Sequence, residues 1–233
     1  MLRLKAALVG SAVAIVIASA SSPGNAAVKC VDLVNLKIPA SEIGLPSGGA
    51  TITSAQMATV PADPLNPGAT RDYCKVLGAV QPIDPNAAPV NFEVNLPAEW
   101  NGKAVQYGGG GYNGVLIAGL DPLRDARLDA PVPVARGYAT WGTDSGHDSA
   151  KLPEIQAFGL NAEALENYAF ASYKKVRDVA VAIARAHYGT SPRRIYYYGG
   201  SEGGREGITM AQRFPADFDA SSAPCRRSTS RVS

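Results

Sequence analysis

The chain has 233 residues, 46% hydrophobic and 18% charged, with 22 basic and 20 acidic side chains for a formal charge of +2. That much apolar surface drives collapse into a core and excludes a disordered tail, a coiled coil or an acidic low-complexity protein. The charge carries no footprint for nucleic acid. Arg3 and Lys5 are the only charged side chains before residue 27, the remainder is neutral, and without the Arg226, Arg227 and Arg231 of the last nine residues the body is mildly acidic.

Residues 1–26 combine a basic start, an apolar run from Ala6 to Ala18 and a small-residue exit with Gly24 and Ala26 at the −3 and −1 places. This reads as a cleaved export signal, because the run is shorter than the roughly 20 residues a membrane span needs. A secreted or periplasmic location follows, with no membrane attachment after cleavage. Export lets disulfides persist, so Cys30 and Cys74 can pair, which leaves Cys225 over.

Pro39 to Pro89 is rich in Pro, Gly, Ala and Ser, with Ala50–Thr53 and Arg71–Leu77 as short strands, and reads as a strand-and-turn entry segment. Val90–Leu96 alternates as a half-buried strand that Pro97 ends. Lys103–Tyr107 leads into the glycines 108–111, and Tyr138–Thr143 is another strand, followed by the polar loop Asp144–Asp148. Apolar residues from Leu165 to Ile183 recur at helical spacing, predicting one long helix over 161–187. A strand over 194–198 and a helix over 203–214 complete the order strand, helix, strand, helix, which implies an α/β protein with a mostly parallel sheet.

Gly199-Gly200-Ser201-Glu202-Gly203 matches Gly-x-Ser-x-Gly between a β-type run and a helical run. A serine at such a turn has its hydroxyl clear of the sheet, and the flanking glycines avoid collision with neighbouring backbone. Ser201 is therefore the candidate nucleophile. The backbone N–H of Glu202, at the positive end of a helix, is a candidate oxyanion donor. The run Gly108–Gly114 supplies flexible backbone for a second donor. It also spells Gly-x-Gly-x-x-Gly, but Asp121-Pro122 follows instead of a helix, so a dinucleotide site is rejected.

A nucleophilic serine needs a histidine and an orienting carboxylate. In α/β-hydrolases both follow the serine, yet only 32 residues come after Ser201 and both histidines, His147 and His187, come before it. His147 is a candidate substitute base, being in a loop with Asp144 and Asp148 after a strand expected beside the nucleophile strand. The blander reading makes it a loop brace. His187 is read as a helix-end residue facing the dipole.

These residues resemble the tannase and feruloyl esterase family of secreted α/β-hydrolases. The resemblance rests on Cys30 and Cys74, Leu96-Pro-x-x-Trp100-Asn-Gly102, the run Gly108–Gly114, Thr143-Asp-Ser-Gly-His147, Tyr188-Gly-x-x-Pro192, Gly199-Gly-Ser-Glu-Gly-Gly-Arg205 and Arg213-Phe-Pro-Ala-Asp-Phe218. It implies hydrolysis of phenolic acid esters through a serine acyl-enzyme, with Ser201 as nucleophile and Glu202, Gly109 and Gly110 as backbone oxyanion donors. It implies no cofactor; calcium occurs in the lid of some members, a region absent from this chain, and no metal ligand is expected here. Gly200 stands where some members carry a cysteine disulfide-bonded beside the catalytic histidine.

Members run to about twice this length, so residues 27–219 read as the N-terminal half only of an α/β-hydrolase-type domain. Residues 220–233, polar and basic, read as an irregular tail of the kind a frameshift or early stop produces. The expected function is ester hydrolysis of small phenolic substrates, nearly abolished without the later Asp and His. The alternative is a non-catalytic exported phenolic-binding or interaction protein. An uncovered sheet also predicts self-association.

Overall fold

A computed structural model describes residues 27–60, 71–124, 126–127 and 129–222. The expected export signal at 1–26 and Cys225 lie outside these residues. Eight strands form a single sheet: β1 (Lys37–Ile38), β2 (Ala50–Thr59), β3 (Asp72–Val80), β4 (Val90–Pro97), β5 (Lys103–Tyr107), β6 (Ala139–Thr143), β7 (Arg194–Tyr198) and β8 (Ala220–Ser222). Their spatial order is β1-β2-β3-β4-β6-β5-β7-β8. The pairings from β1 to β6 are antiparallel, and those joining β6, β5, β7 and β8 are parallel. The entry segment is thus an antiparallel meander, and the parallel α/β half begins with β5.

Helices α1 (Ala162–Glu166) and α2 (Ser172–Tyr188) carry the chain from β6 to β7, and α3 (Glu202–Arg213) carries it from β7 to β8. Both crossovers advance in the same direction across the sheet, so right-handed connections place α2 and α3 on the same face. The register confirms this face: Val94, Trp141, Gln106 and Tyr197 stand in one row across β4, β6, β5 and β7. Trp141 and Val94 are fully buried in the main core with Val176, Val179 and Ile183 of α2, while Tyr197 packs with Tyr173 and Met210 in a smaller core under α3.

Three local differences from the sequence reading have physical causes. The expected long helix is present over 162–188, but it widens to a π turn at Asn167–Ala171 that separates α1 from α2, and Leu165 is 48% exposed. Strand β6 lies between β4 and β5, so it does not adjoin β7 as expected; β5 separates them. Ala220–Ser222, expected to open an irregular tail, pair with Tyr196–Tyr198. Asp219 fastens that pairing, accepting a bond from the Ile195 N–H at 2.8 Å and pairing with Arg194 at 2.7 Å, and backbone pairing at an edge requires no apolar side chains.

Cys30 and Cys74 form a disulfide that ties the short helical turn Cys30–Asn35 to β3, with Cα atoms 5.6 Å apart. Among the described residues, no helix is long and apolar enough to cross a membrane.

Candidate active site

Strands β5 and β7 are neighbours and parallel, so the loops at their C-terminal ends meet. The glycine run 108–111 leaves β5, and the turn carrying Ser201 leaves β7. The ladder continues into both loops, with the Gly108 N–H donating to the Tyr198 carbonyl at 2.8 Å. Open α/β sheets build their sites at such carboxyl ends.

Ser201 occupies φ 55°, ψ −118°, a conformation that side chains rarely adopt, and its side chain is exposed. This strain presents the hydroxyl at the tip of the turn. Close approach explains the two flanking glycines. A Cβ on Gly199 would stand 2.6 Å from the Gly203 backbone, and one on Gly203 would stand 2.9 Å from the Gly109 carbonyl oxygen.

The first turn of α3 has N–H groups without intrahelical acceptors. Gly203 donates to the Gly109 carbonyl at 3.0 Å, and Gly204 and Arg205 donate to the Ser201 carbonyl. The Glu202 N–H has no acceptor among the described residues and is left facing the turn. In the glycine loop, the Gly109 N–H donates to Glu206 Oε2 at 3.1 Å. That N–H is thus engaged, whereas the Gly110 N–H has no acceptor among the described residues. A Cβ on Gly110 would meet nothing within 4 Å, so its surroundings are open.

The Glu202 side chain points to other work. Arg205 bonds Glu202 Oε1 from Nε at 2.7 Å and spans to the carbonyls of Ala169 at 2.8 Å and Tyr168 at 3.1 Å. Those carbonyls belong to the π turn, whose wider winding leaves them available. The guanidinium also lies 5.1 Å from the centre of the Tyr168 ring. Tyr168 in turn lies 4.8 Å from Phe158 and 6.2 Å from Tyr112 of the glycine loop, which makes an aromatic wall beside the serine turn. Burial and the Glu202 carboxylate push the Tyr168 hydroxyl up to about 12.

His147 is part of that wall. Its ring is 3% exposed and stacks on Phe158 at 4.1 Å, and neither nitrogen is hydrogen-bonded to Ser201 or to a carboxylate. Burial lowers its pKa. The Asp144 carboxylate is occupied by the Asn91 N–H, the Asn91 amide and the Gly146 N–H, and Asp148 accepts from Ala150 and pairs with Lys151. His187 sits in the last turn of α2 with Nδ1 2.8 Å from the Val28 carbonyl.

The sequence reading missed Glu206. It is fully buried on α3, where it accepts bonds from Tyr173 at 2.7 Å, from Tyr197 at 2.6 Å and from Gly109. The available signal was an acid on the same helix face as Glu202, flanked by Gly203 and Gly207. Among the described residues, no group of three or more His, Cys, Asp or Glu is placed to hold a metal ion.

A mixed sheet with parallel crossovers and a strained serine between strand and helix defines an α/β-hydrolase fold. The family model described as Tannase and feruloyl esterase matches residues 74–226, and the chain belongs to that family. An uncharacterized esterase of Agrobacterium fabrum is 43% identical over 85% of this chain and 35% of its own length. The mono(2-hydroxyethyl) terephthalate hydrolase of Piscinibacter sakaiensis is 35% identical over 64% of this chain and 26% of its own. The solved tannin acyl hydrolase of Aspergillus niger superposes with a TM-score of 0.56 at 29% identity, covering 77% of this chain and 34% of that one. The chain thus spans about a quarter to a third of the length of these relatives.

Proposed function

We propose that this chain carries the nucleophile and oxyanion half of a carboxylic ester hydrolase acting on esters of aromatic acids. The observation that carries the reading is Ser201 at φ 55° on the strand-to-helix turn, beside the unpaired Glu202 N–H. The Ser201 Oγ attacks the ester carbonyl carbon and loses its proton to a base. Negative charge on the carbonyl oxygen is held by the N–H groups of Glu202 and Gly110, the alcohol leaves, and water then hydrolyses the acyl-serine. The aromatic wall of Tyr112, Phe158 and Tyr168 suits a flat acyl group, and relatives are named for terephthalate and feruloyl esters. The disulfide suits an oxidising compartment and supports export.

The 233 residues alone are expected to turn over slowly, because neither histidine bonds to Ser201 among the described residues. A serine hydroxyl without a positioned base loses most of the acceleration a complete triad gives. The test is hydrolysis of methyl ferulate and methyl gallate by the purified protein and by Ser201→Ala. A slow rate that Ser201→Ala abolishes supports the reading. A rate indifferent to Ser201→Ala overturns it, and phenolic binding without turnover in either form favours the non-catalytic alternative. His147→Gln is expected to leave the rate within about twofold, since the ring is packed as a brace; a large loss would make it the base.

A further inference from the structure

Glu206 is a carboxylate sealed inside the protein, and all three of its hydrogen-bonding neighbours are donors. Tyr173 of α2 donates to Oε1, and Tyr197 of β7 and Gly109 of the glycine loop donate to Oε2. A polar chain leads to it across the buried face. The Trp141 indole donates to Gln106 Oε1 at 2.9 Å, and Gln106 Nε2 donates to the Tyr173 carbonyl at 3.0 Å. Burying a carboxylate is costly unless its lone pairs are filled, so a side chain kept at this cost fixes something in place.

What it fixes is the Gly109 backbone. The Gly109 N–H is held by Glu206 and its carbonyl by the Gly203 N–H at 3.0 Å, so the residue is gripped on both sides by α3. The peptide between Gly109 and Gly110 is planar and trans, which makes its N–H point opposite to its C=O. Fixing the Gly109 carbonyl on Gly203 therefore fixes the direction of the Gly110 N–H, away from α3 and free. Glycines 108–111 have no side chains to pack, so the loop is held through its backbone: by Gly108 on the Tyr198 carbonyl, by the Asn113 N–H on the Gly110 carbonyl at 2.8 Å, and by α3 at Gly109. Gly108 has no room for a side chain, its Cβ position lying 2.5 Å from Glu206 Oε2.

We propose that Glu206 is the positioning residue of the oxyanion site: its carboxylate clamps Gly109 so that the Gly110 N–H stands ready beside the Glu202 N–H. The proposal rests on the serine-esterase reading above and assigns Glu206 no contact with substrate. Burial raises the Glu206 pKa while the three donors oppose the rise, so the acceptor role weakens toward acid.

The experiment uses the full chain, its Glu206→Gln and Glu206→Leu variants, and Ser201→Ala. Diethyl p-nitrophenyl phosphate phosphorylates a reactive serine. The Ser201 Oγ–P bond forms, the P–O bond to nitrophenol breaks, p-nitrophenolate leaves and the serine proton goes to solvent. The rate is read by intact mass and normalised to folded protein, and ¹H–¹⁵N spectra report the Gly109 amide, which a charged acceptor shifts downfield. Glu206→Leu is expected to slow labelling by about tenfold to a hundredfold, below the full loss of an oxyanion donor, and to move the Gly109 amide upfield. Glu206→Gln, which keeps one acceptor oxygen, is expected to recover part of both. Tyr173→Phe removes only a bond to Oε1 and is expected to lower the melting temperature while leaving the Gly109 amide in place. Labelling and amide shift unchanged in Glu206→Gln and Glu206→Leu overturn the proposal and leave the esterase reading standing. Labelling of the parent no faster than of Ser201→Ala overturns the esterase reading, and this proposal with it.

Discussion

Ser201 pays for its exposure in backbone strain. A non-glycine residue in such a region costs of order 1–3 kcal/mol, while a glycine there costs about 0.5–1 kcal/mol of chain entropy. Ser201→Gly is therefore expected to stabilise the fold by about 1 kcal/mol in urea unfolding while ending serine labelling; a destabilised Ser201→Gly would mean the turn is held at no cost. Asp144 carries a second residue-scale consequence. Burial raises its carboxyl to about 6 against an ordinary 3.8, despite three N–H donors. A carboxyl whose folded pKa is raised binds its proton more tightly when folded, so its contribution is fully present below pH 3.8 and is lost as pH rises through about 6. The stability of the parent relative to Asp144→Asn is expected to fall by about 2–3 kcal/mol between pH 4 and 7, measured by urea unfolding at each pH; a flat difference would show that the donors hold the carboxyl at its ordinary value. Ser201 was legible because a five-residue pattern states its geometry. Glu206 was not, since its partners stand 97, 33 and 9 positions away and only the fold brings them together.

Elements whose side chains alternate or repeat against the core were readable from the chain. Strands β4, β5 and β7 and helix α3 fall within a residue or so of their expected places. Strand β2 was seen only in part, because its outer residues are exposed and carry no alternation, and its length is set by pairing with β3. The π turn was invisible for a different reason: it is stabilised from outside, by Arg205 on the carbonyls of Tyr168 and Ala169 and by Ser172 Oγ on the Asn167 carbonyl. At the other end of the sheet the Cys30–Cys74 bond does for the entry segment what side-chain packing does for α2. The 44-residue separation gives a loop-closure contribution of about 4 kcal/mol. Replacing both cysteines by serine is expected to lower unfolding free energy by about that amount, read by urea denaturation; a loss under about 1 kcal/mol would place the stability of the meander in its strand pairing instead.

Across the whole molecule the two faces of the sheet are unequally covered. Helices α2 and α3 bury one face, whereas the other, at β5, β7 and β8, is met among the described residues by the connection between β5 and β6. There a cleft of about 320 Å³ opens between Leu123, Pro133 and Tyr138 on one side and Tyr196, Tyr198 and the β8 backbone on the other. Strand β8 is exposed at all three residues and pairs only with β7 among the described residues. An open strand edge beside an apolar, tyrosine-lined cleft is a template for further pairing. The chain is therefore expected to self-associate at micromolar concentrations, with sedimentation velocity showing species that grow with loading. Ser221→Pro, which removes an N–H from the edge strand, is expected to reduce that association. Tyr196→Lys, which places a charge in the cleft, is expected to reduce it by a separate route. If both variants and the parent sediment as one monomeric boundary and melt cooperatively, the connection between β5 and β6 already seals this face, and the cleft is an ordinary surface groove.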